Sequence, residues 1–232
     1  MKLFSKIALG LILALPVTNV SGQQISAQVL ESTILVNKAS TNNSRNNVKG
    51  SPYLNDTFTA ATIKPLNKTY LVRYNAVDDE MEVQQNSKLL ILNNNVKDYV
   101  IIYNNTGKTL KVFENFKNKK NGFYVVLKET PNISLYRKDK KVYVKGKQSS
   151  HASLPDSPNE YKSSDSKYYI KINSLGESVR NIPKNKKKFA ALFPKDSQKE
   201  IITMLKKNKI KLSRENDLIK LMDLINNYTN NK

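Results

Sequence analysis

A series of short segments with apolar or aromatic side chains at every second position constrains this chain most strongly. They follow one another between residues 68 and 146 and are separated by asparagine, glycine and proline. Their sequences include KTYLVRYN (68–75), EMEVQ (80–84), KLLIL (88–92), KTLKVF (108–113), GFYVVLK (122–128) and KVYVKG (141–146). Short strands joined by tight turns are typical of antiparallel pairing, and no segment here is long enough for a helical crossover. The pattern predicts an antiparallel meander, sheet or barrel-like sandwich.

The apolar period changes to that of a helix near the C-terminus. Leu218, Leu221, Met222 and Ile225 are spaced as one helical stripe. The segment SQKEIITMLKKN (197–208) predicts a second helix, and KKKFAALF (186–193) predicts a shorter one that stops before Pro194. We therefore predict an α+β fold in which a C-terminal helical hairpin, within residues 177–232, packs on the β domain.

The first 22 residues are typical of a signal peptide. Lys2 and Lys6 precede the apolar run at 7–17, which is too short to span a bilayer. Cleavage after Gly22 would leave Gln23 as the mature N-terminus. No later apolar stretch has membrane length, and no cysteine is present to take a lipid. We expect a periplasmic or extracellular protein without a transmembrane segment or lipid anchor.

Polar stretches of the sequence predict the boundaries of the β domain and of its long loop. Residues 23–49 are predicted to form a flexible N-terminal segment, because 37–50 is polar and lacks apolar period. The β domain is expected to span 50–176. Its predicted exposed loop, 147–166, contains two prolines and many serines.

Charge and residue types limit the chemistry. The formal net charge is +20, and removal of the signal peptide leaves about +18, which attracts anionic polymers without specifying one. The chain has no cysteine and one histidine, His151. Thiolate chemistry is therefore excluded, and we expect no cofactor or metal. His151 lies among serines in the predicted loop, without the rigid scaffold that a catalytic triad needs.

The one dense acidic cluster comprises Asp78, Asp79, Glu80 and Glu82. Such carboxylates could bind a hard cation or act as an acid/base pair. However, aspartate is an ordinary turn residue, and Glu80 and Glu82 alternate with Met81 and Val83. We interpret the cluster as a hairpin whose glutamates form a solvated strand face and pair with Arg73.

Basic residues alternate with aromatic ones over 116–147. Such a surface could hold single-stranded nucleic acid or an acidic glycan, although strand alternation alone also predicts aromatic side chains in the core and lysines in solvent. The candidate anion-binding residues are Lys117, Lys119, Lys120, Arg137, Lys138, Lys140 and Lys141.

Two stretches resemble a known family. GSPYLNDTF (50–58) with YLVRYNAVDDEMEV (70–83), and the C-terminal segments LFP, EIITMLKKNKIKL and ENDLIKLMDLINNY, are similar to those of an uncharacterised family of exported proteins from Bacteroidota. The likeness covers roughly residues 50–228. It implies export and a β-plus-helix architecture, and it implies no activity, cofactor or catalytic residue.

Three functional hypotheses follow. The first is a non-enzymatic exported protein that binds or scaffolds an envelope or surface component. The second is a binder of an acidic glycan or nucleic acid through the basic 116–147 surface. The third is an enzyme of unrecognised type that uses the carboxylates at 78–82.

Overall fold

The computed structural model describes residues 28–38, 48–97, 99–148 and 156–230. Within these ranges, twelve strands form one curled and mostly antiparallel sheet, followed by a helical layer. The α+β class predicted from the sequence is confirmed. The predicted signal peptide (1–22) and His151 lie outside the described residues.

The strands form two meanders that lie side by side. The strands are β1 (Leu35–Asn37), β2 (Val48–Lys49), β3 (Thr59–Lys64), β4 (Lys68–Asn75), β5 (Glu80–Gln85), β6 (Lys88–Leu92), β7 (Val100–Tyr103), β8 (Thr109–Glu114), β9 (Asn121–Glu129), β10 (Ile133–Val144), β11 (Asn159–Ile172) and β12 (Arg180–Asn181). Their order across the sheet is β1-β6-β5-β4-β3-β7-β8-β9-β10-β11-β12, and β2 pairs in parallel with β11. The meander β3–β6 therefore joins the meander β7–β12 through β3 and β7.

The sheet curls until the β4–β5 turn contacts β9 and β10. The Lys141 amide in β10 donates to the Ala76 carbonyl (3.0 Å), and the Lys141 ammonium donates to the Ser51 carbonyl (2.8 Å). From the same turn, Asp79 accepts a hydrogen bond from the Phe123 amide (3.3 Å) in β9. These contacts enclose a concave face between the two meanders.

The helical layer covers the other end of the sheet. Its helices are α2 (Lys186–Ala190), α3 (Lys195–Lys207) and α4 (Glu215–Asn230). The stripe of α4 is buried against Leu135 and Ile170 of the sheet and against α3, so the helices pack on the β sheet. No helix in the described part of the chain is long and apolar enough to span a bilayer.

The N-terminal part of the predicted flexible segment belongs to the fold. Residues 28–34 form helix α1, and Ile34 and Leu35 are buried in the core. Glu31 of α1 accepts hydrogen bonds from Tyr70 and Lys68 of β4. The prediction of a flexible 23–49 is therefore wrong for 28–38, which these contacts hold in the fold, and for 48–49, which pair with β11.

The predicted loop 147–166 is shorter than expected. Residues 159–166 form the first part of β11, where Tyr161 pairs with Tyr143 and Ser164 with Lys140. This half of the β10–β11 hairpin extends beyond the core, so none of residues 159–166 is buried. Without a buried face, the strand lacks the apolar alternation that identifies strands in a sequence.

Candidate functional site

A cavity of about 270 Å³ opens in the concave face of the sheet. Its walls come from β3, β4, β7, β8, β9 and β10, and the segment before β3 forms part of its rim. The volume lies just below the usual range of small-molecule sites, roughly 300–1,000 Å³. It is the candidate site because apolar and charged side chains line it together.

The wall of the cavity is largely apolar. Val72, Tyr74, Leu110, Phe123 and Val125 all contribute to it. The rings of Tyr74 and Phe123 meet edge to face, with centroids 6.1 Å apart. The Tyr74 hydroxyl donates to Asp79 (2.7 Å), so its polar end is already satisfied. The wall therefore offers apolar and aromatic surface to a ligand.

The lining also contains a polar network built on Arg137 and Asp139. These residues are two apart in β10 and share one face. The Arg137 guanidinium donates to both oxygens of Asp139 (2.8 and 3.2 Å) and to Glu215 at the start of α4 (2.9 Å). A β-bulge between Lys138 and Lys140 shifts the register here, and Ser166 from β11 also donates to Asp139 (2.8 Å).

These contacts keep the network charged. Burial by itself would raise the pKa of Asp139, but hydrogen bonds from Arg137 and Ser166 outweigh it, so that pKa lies below its ordinary value. Burial likewise opposes the charge of Arg137, and its bonds to Asp139 and Glu215 nevertheless raise its pKa. Arg137 therefore uses its donors within the protein and orients Asp139.

Lys108 adds a cation with weaker contacts beside Asp139 in the cavity lining. It lies between the β7–β8 turn and β8, where its carbonyl accepts from the Tyr103 amide (2.9 Å). Its ammonium lies 3.8 Å from Asp139 Oδ2, a longer separation than in a direct hydrogen bond. Burial lowers the pKa of Lys108, although Asp139 opposes that shift. A ligand acceptor group could therefore take hydrogen bonds from this ammonium.

The acidic cluster forms the predicted hairpin, but one glutamate is not on a solvated face. Glu82 is fully buried and pairs with Arg73 across β4 and β5, as predicted for these charges. It also accepts from the Tyr53 hydroxyl (3.1 Å) and the Lys38 ammonium (2.5 Å). The solvated interpretation is wrong for Glu82, because residues 50–58 cover this face and the Arg73 guanidinium stacks on Tyr53 and Phe58.

Asp79 lies in the β4–β5 turn with a φ of 59°. Besides Tyr74 and Phe123, it binds the Lys138 ammonium from β10. Gly122 passes directly beneath this ion pair, and a Cβ there would overlap both Asp79 and Lys138. Asp79 therefore connects the β4–β5 turn of one meander to β9 and β10 of the other.

The structure separates the candidate anion-binding residues into two groups. Lys117, Lys119 and Lys120 lie exposed in the β8–β9 turn. The others lie in β10, where Arg137 and Lys138 pair with carboxylates, Lys141 binds the Ser51 carbonyl, and Lys140 is exposed. Anion binding by this surface stays a prediction. Four of its seven cations are exposed.

Sequence reasoning missed Lys108, Asp139 and Glu215. Lys108 is one lysine among many, and Glu215 is remote from β10 in the chain. Arg137 and Asp139 did carry a local signal, because opposite charges two residues apart in a strand lie on one face. Nothing in the sequence indicates that this face is the inside of a curl.

No protein-family model, curated protein sequence or solved structure matches this chain. The resemblance to exported proteins of Bacteroidota therefore stays a prediction.

Proposed function

We propose that this chain is an exported, non-enzymatic binding protein, and that its concave cavity holds a small amphipathic molecule from the cell envelope or surface. The ligand has an apolar, flat body and one polar head group that accepts hydrogen bonds. The body lies against Tyr74, Phe123 and Val125, and the head group faces Lys108. Export is supported by the N-terminal sequence.

The observation that carries this proposal is the mixed lining of the cavity. Apolar side chains such as Phe123 and Val125 line it together with Lys108, Arg137 and Asp139, and Arg137 lies directly across from Val125 in the β9–β10 register. Binding sites of this kind obtain affinity from apolar contact and orientation from a few polar groups. A wholly apolar or wholly polar ligand would leave part of this lining without complementary contacts.

The lowered pKa values of the buried carboxyl groups favour a binding function over acid catalysis. A general acid that works near neutral pH needs a raised pKa. Hydrogen bonds instead hold the pKa values of Asp139 and Glu82 below their ordinary range. Asp79 accepts a hydrogen bond from the Tyr74 hydroxyl and pairs with the Lys138 ammonium. The enzyme hypothesis based on residues 78–82 thus has less support than the binding hypothesis.

A fluorescence titration with 8-anilinonaphthalene-1-sulfonate tests the proposal, since this probe combines an aromatic body with an acceptor head group. We expect saturable binding by the wild type. Thr59→Trp, which adds a ring to a cavity-lining position, should abolish it. Thr62→Trp is the matched control, because it lies on the opposite face of the same strand.

Lysine neutralisation tests the polar part of the lining separately. Lys108→Gln should weaken probe binding by about tenfold, as expected when one charged hydrogen bond is lost. Lys111→Gln should leave it unchanged, because Lys111 pairs with Glu129 away from the cavity. Unchanged binding by a folded Thr59→Trp protein would place the probe elsewhere and contradict the proposal.

A further inference from the structure

Two adjoining depressions form a groove on the helical layer, away from the cavity. The first, of about 530 Å³, is lined by Lys184, Lys186, Lys206, Lys209 and Lys211. The second, of about 430 Å³, continues beside β11 and β12 and includes Ser166 and Asn181. Both share Lys184, Leu212 and Ser213, so they form one elongated surface, here called the lysine groove.

Local composition alone does not distinguish the lysine groove from the predicted basic surface. Residues 184–211 contain ten lysines and two acidic residues, and residues 117–147 contain ten basic residues and two acidic ones. The two segments differ in whether their cations have carboxylate partners. Several cations of 117–147 have carboxylate partners, including Lys128, Arg137 and Lys138. The residues lining the first depression of the groove include no Asp or Glu, and those lining the second include one, Asp165.

The backbone at Lys209 ends helix α3 and turns the chain along the groove. Helix α3 ends in a Schellman motif, in which the Lys209 amide donates to the Lys206 carbonyl (3.1 Å) and the Ile210 amide donates to the Leu205 carbonyl (3.0 Å). Lys209 occupies the position with positive φ (52°), which glycine fills at lowest cost. Lys119 of the predicted basic surface has a similar φ (57°), so the conformation alone does not distinguish the two surfaces.

We propose that the lysine groove binds a linear acidic polysaccharide. Its length suits a chain better than a single anion, because the charged depression continues into a second one. The lysines face the acidic groups of the polymer. Asn181 and Ser213 in the second depression supply amide and hydroxyl groups that can hydrogen-bond to sugar hydroxyls, and the Ser166 hydroxyl, which donates to Asp139, can still accept one.

The groove is less suited to nucleic acid or a membrane. Sequence-tolerant binding of single strands relies on aromatic faces that stack on bases. The lining residues include one aromatic residue, Tyr168, and its hydroxyl donates to Glu215 (3.3 Å). Membrane-surface binding needs exposed apolar side chains, whereas Ile210 and Leu212 in the groove are buried.

Affinity measurements on two variants of equal charge test this proposal. The groove variant replaces Lys184, Lys206, Lys209 and Lys211 by Gln. The control variant replaces four exposed lysines of the predicted basic surface by Gln, namely Lys117, Lys119, Lys120 and Lys140. The probes are a heparin decasaccharide, a galacturonate decamer and a thymidylate oligonucleotide of similar charge, each measured at low and moderate salt.

We expect at least one acidic oligosaccharide to bind the wild type more tightly than the oligonucleotide, and to weaken as salt rises. The groove variant should lose about tenfold or more of that affinity, while the control variant should lose less than about twofold. Equal losses would mean that net charge alone attracts the polymer. A larger loss in the control variant, tighter oligonucleotide binding, or no oligosaccharide binding would also overturn the proposal.

Lys209→Gly separates binding from folding. Glycine relieves the positive-φ strain, so Tm should rise by about 2 °C. Affinity for the oligosaccharide should fall at the same time, because one groove cation is lost. A more stable variant with unchanged affinity would exclude Lys209 from the site.

Discussion

The Arg73 guanidinium donates from Nε and Nη2 to a single oxygen of the Glu82 carboxylate, at 3.1 and 2.7 Å. The other oxygen accepts from Lys38 and Tyr53. One buried carboxylate thus joins the β4–β5 hairpin to the residue after β1 and to the segment before β3. The network makes Glu82 a structural centre of the N-terminal half.

Glu82→Gln should destabilise the protein by about 3–5 kcal/mol, because it leaves Arg73 and Lys38 without their buried counter-charge. Urea unfolding measures this change. Glu177→Gln is the control, since Glu177 pairs with Lys171 while largely exposed and should cost less than about 1 kcal/mol. Equal effects of the two substitutions would contradict the structural role of Glu82.

The free energy of unfolding should depend on pH differently in the wild type and in Glu82→Gln. Burial opposes ionisation of Glu82, but hydrogen bonds from Lys38 and Arg73 lower its pKa below the ordinary 4.5. Its ionised form therefore stabilises the fold above that value, and this contribution is lost as pH falls through the lower folded pKa. The difference in unfolding free energy between wild type and Glu82→Gln should shrink below pH 4.5. A constant difference down to acid unfolding would contradict this assignment.

Gly122→Ala should cost about 1–3 kcal/mol, because its Cβ would displace the Asp79–Lys138 ion pair that fastens the two meanders. Thermal unfolding provides the measurement. Gly107→Ala serves for comparison: its Cβ meets open space, so its cost is limited to the strain of a positive φ. A smaller loss at position 122 than at 107 would argue against a close approach there.

Leu221→Asp should destabilise the protein by at least about 4 kcal/mol, since it places a charge in a fully buried apolar contact. Leu221→Ala should lower the free energy of unfolding by about 2–5 kcal/mol, and it provides the measurement if the aspartate variant does not fold. Lys220→Asp, on the exposed side of α4, should change little. Unchanged stability of both Leu221 variants would mean that α4 does not dock in solution.

Export predicts a processed N-terminus. When the full chain is expressed in a bacterium with a Sec pathway, we expect N-terminal sequencing of material outside the cytoplasm to begin at Gln23. Protein recovered there that retains Met1 would contradict signal cleavage.

The sequence by itself determined the fold class and the type of its elements. Alternation in KTYLVRYN and GFYVVLK identified strands, and the stripe from Leu218 to Ile225 identified the buried face of α4. These patterns are local, because a side chain's face in a strand or helix follows from its spacing to its neighbours. The same pattern placed Arg73 against the hairpin acids.

Only the tertiary structure decided which faces are inside and which distant residues meet. Alternation separated Glu82 from Met81 and Val83, but burial of both faces depends on residues 50–58 covering the hairpin. The cavity likewise depends on the curl that brings Lys108 near Asp139, and the lysine groove on the end of α3 meeting the start of α2. The physical reason is that long-range contacts depend on strand order, twist and covering segments, and no local spacing encodes them.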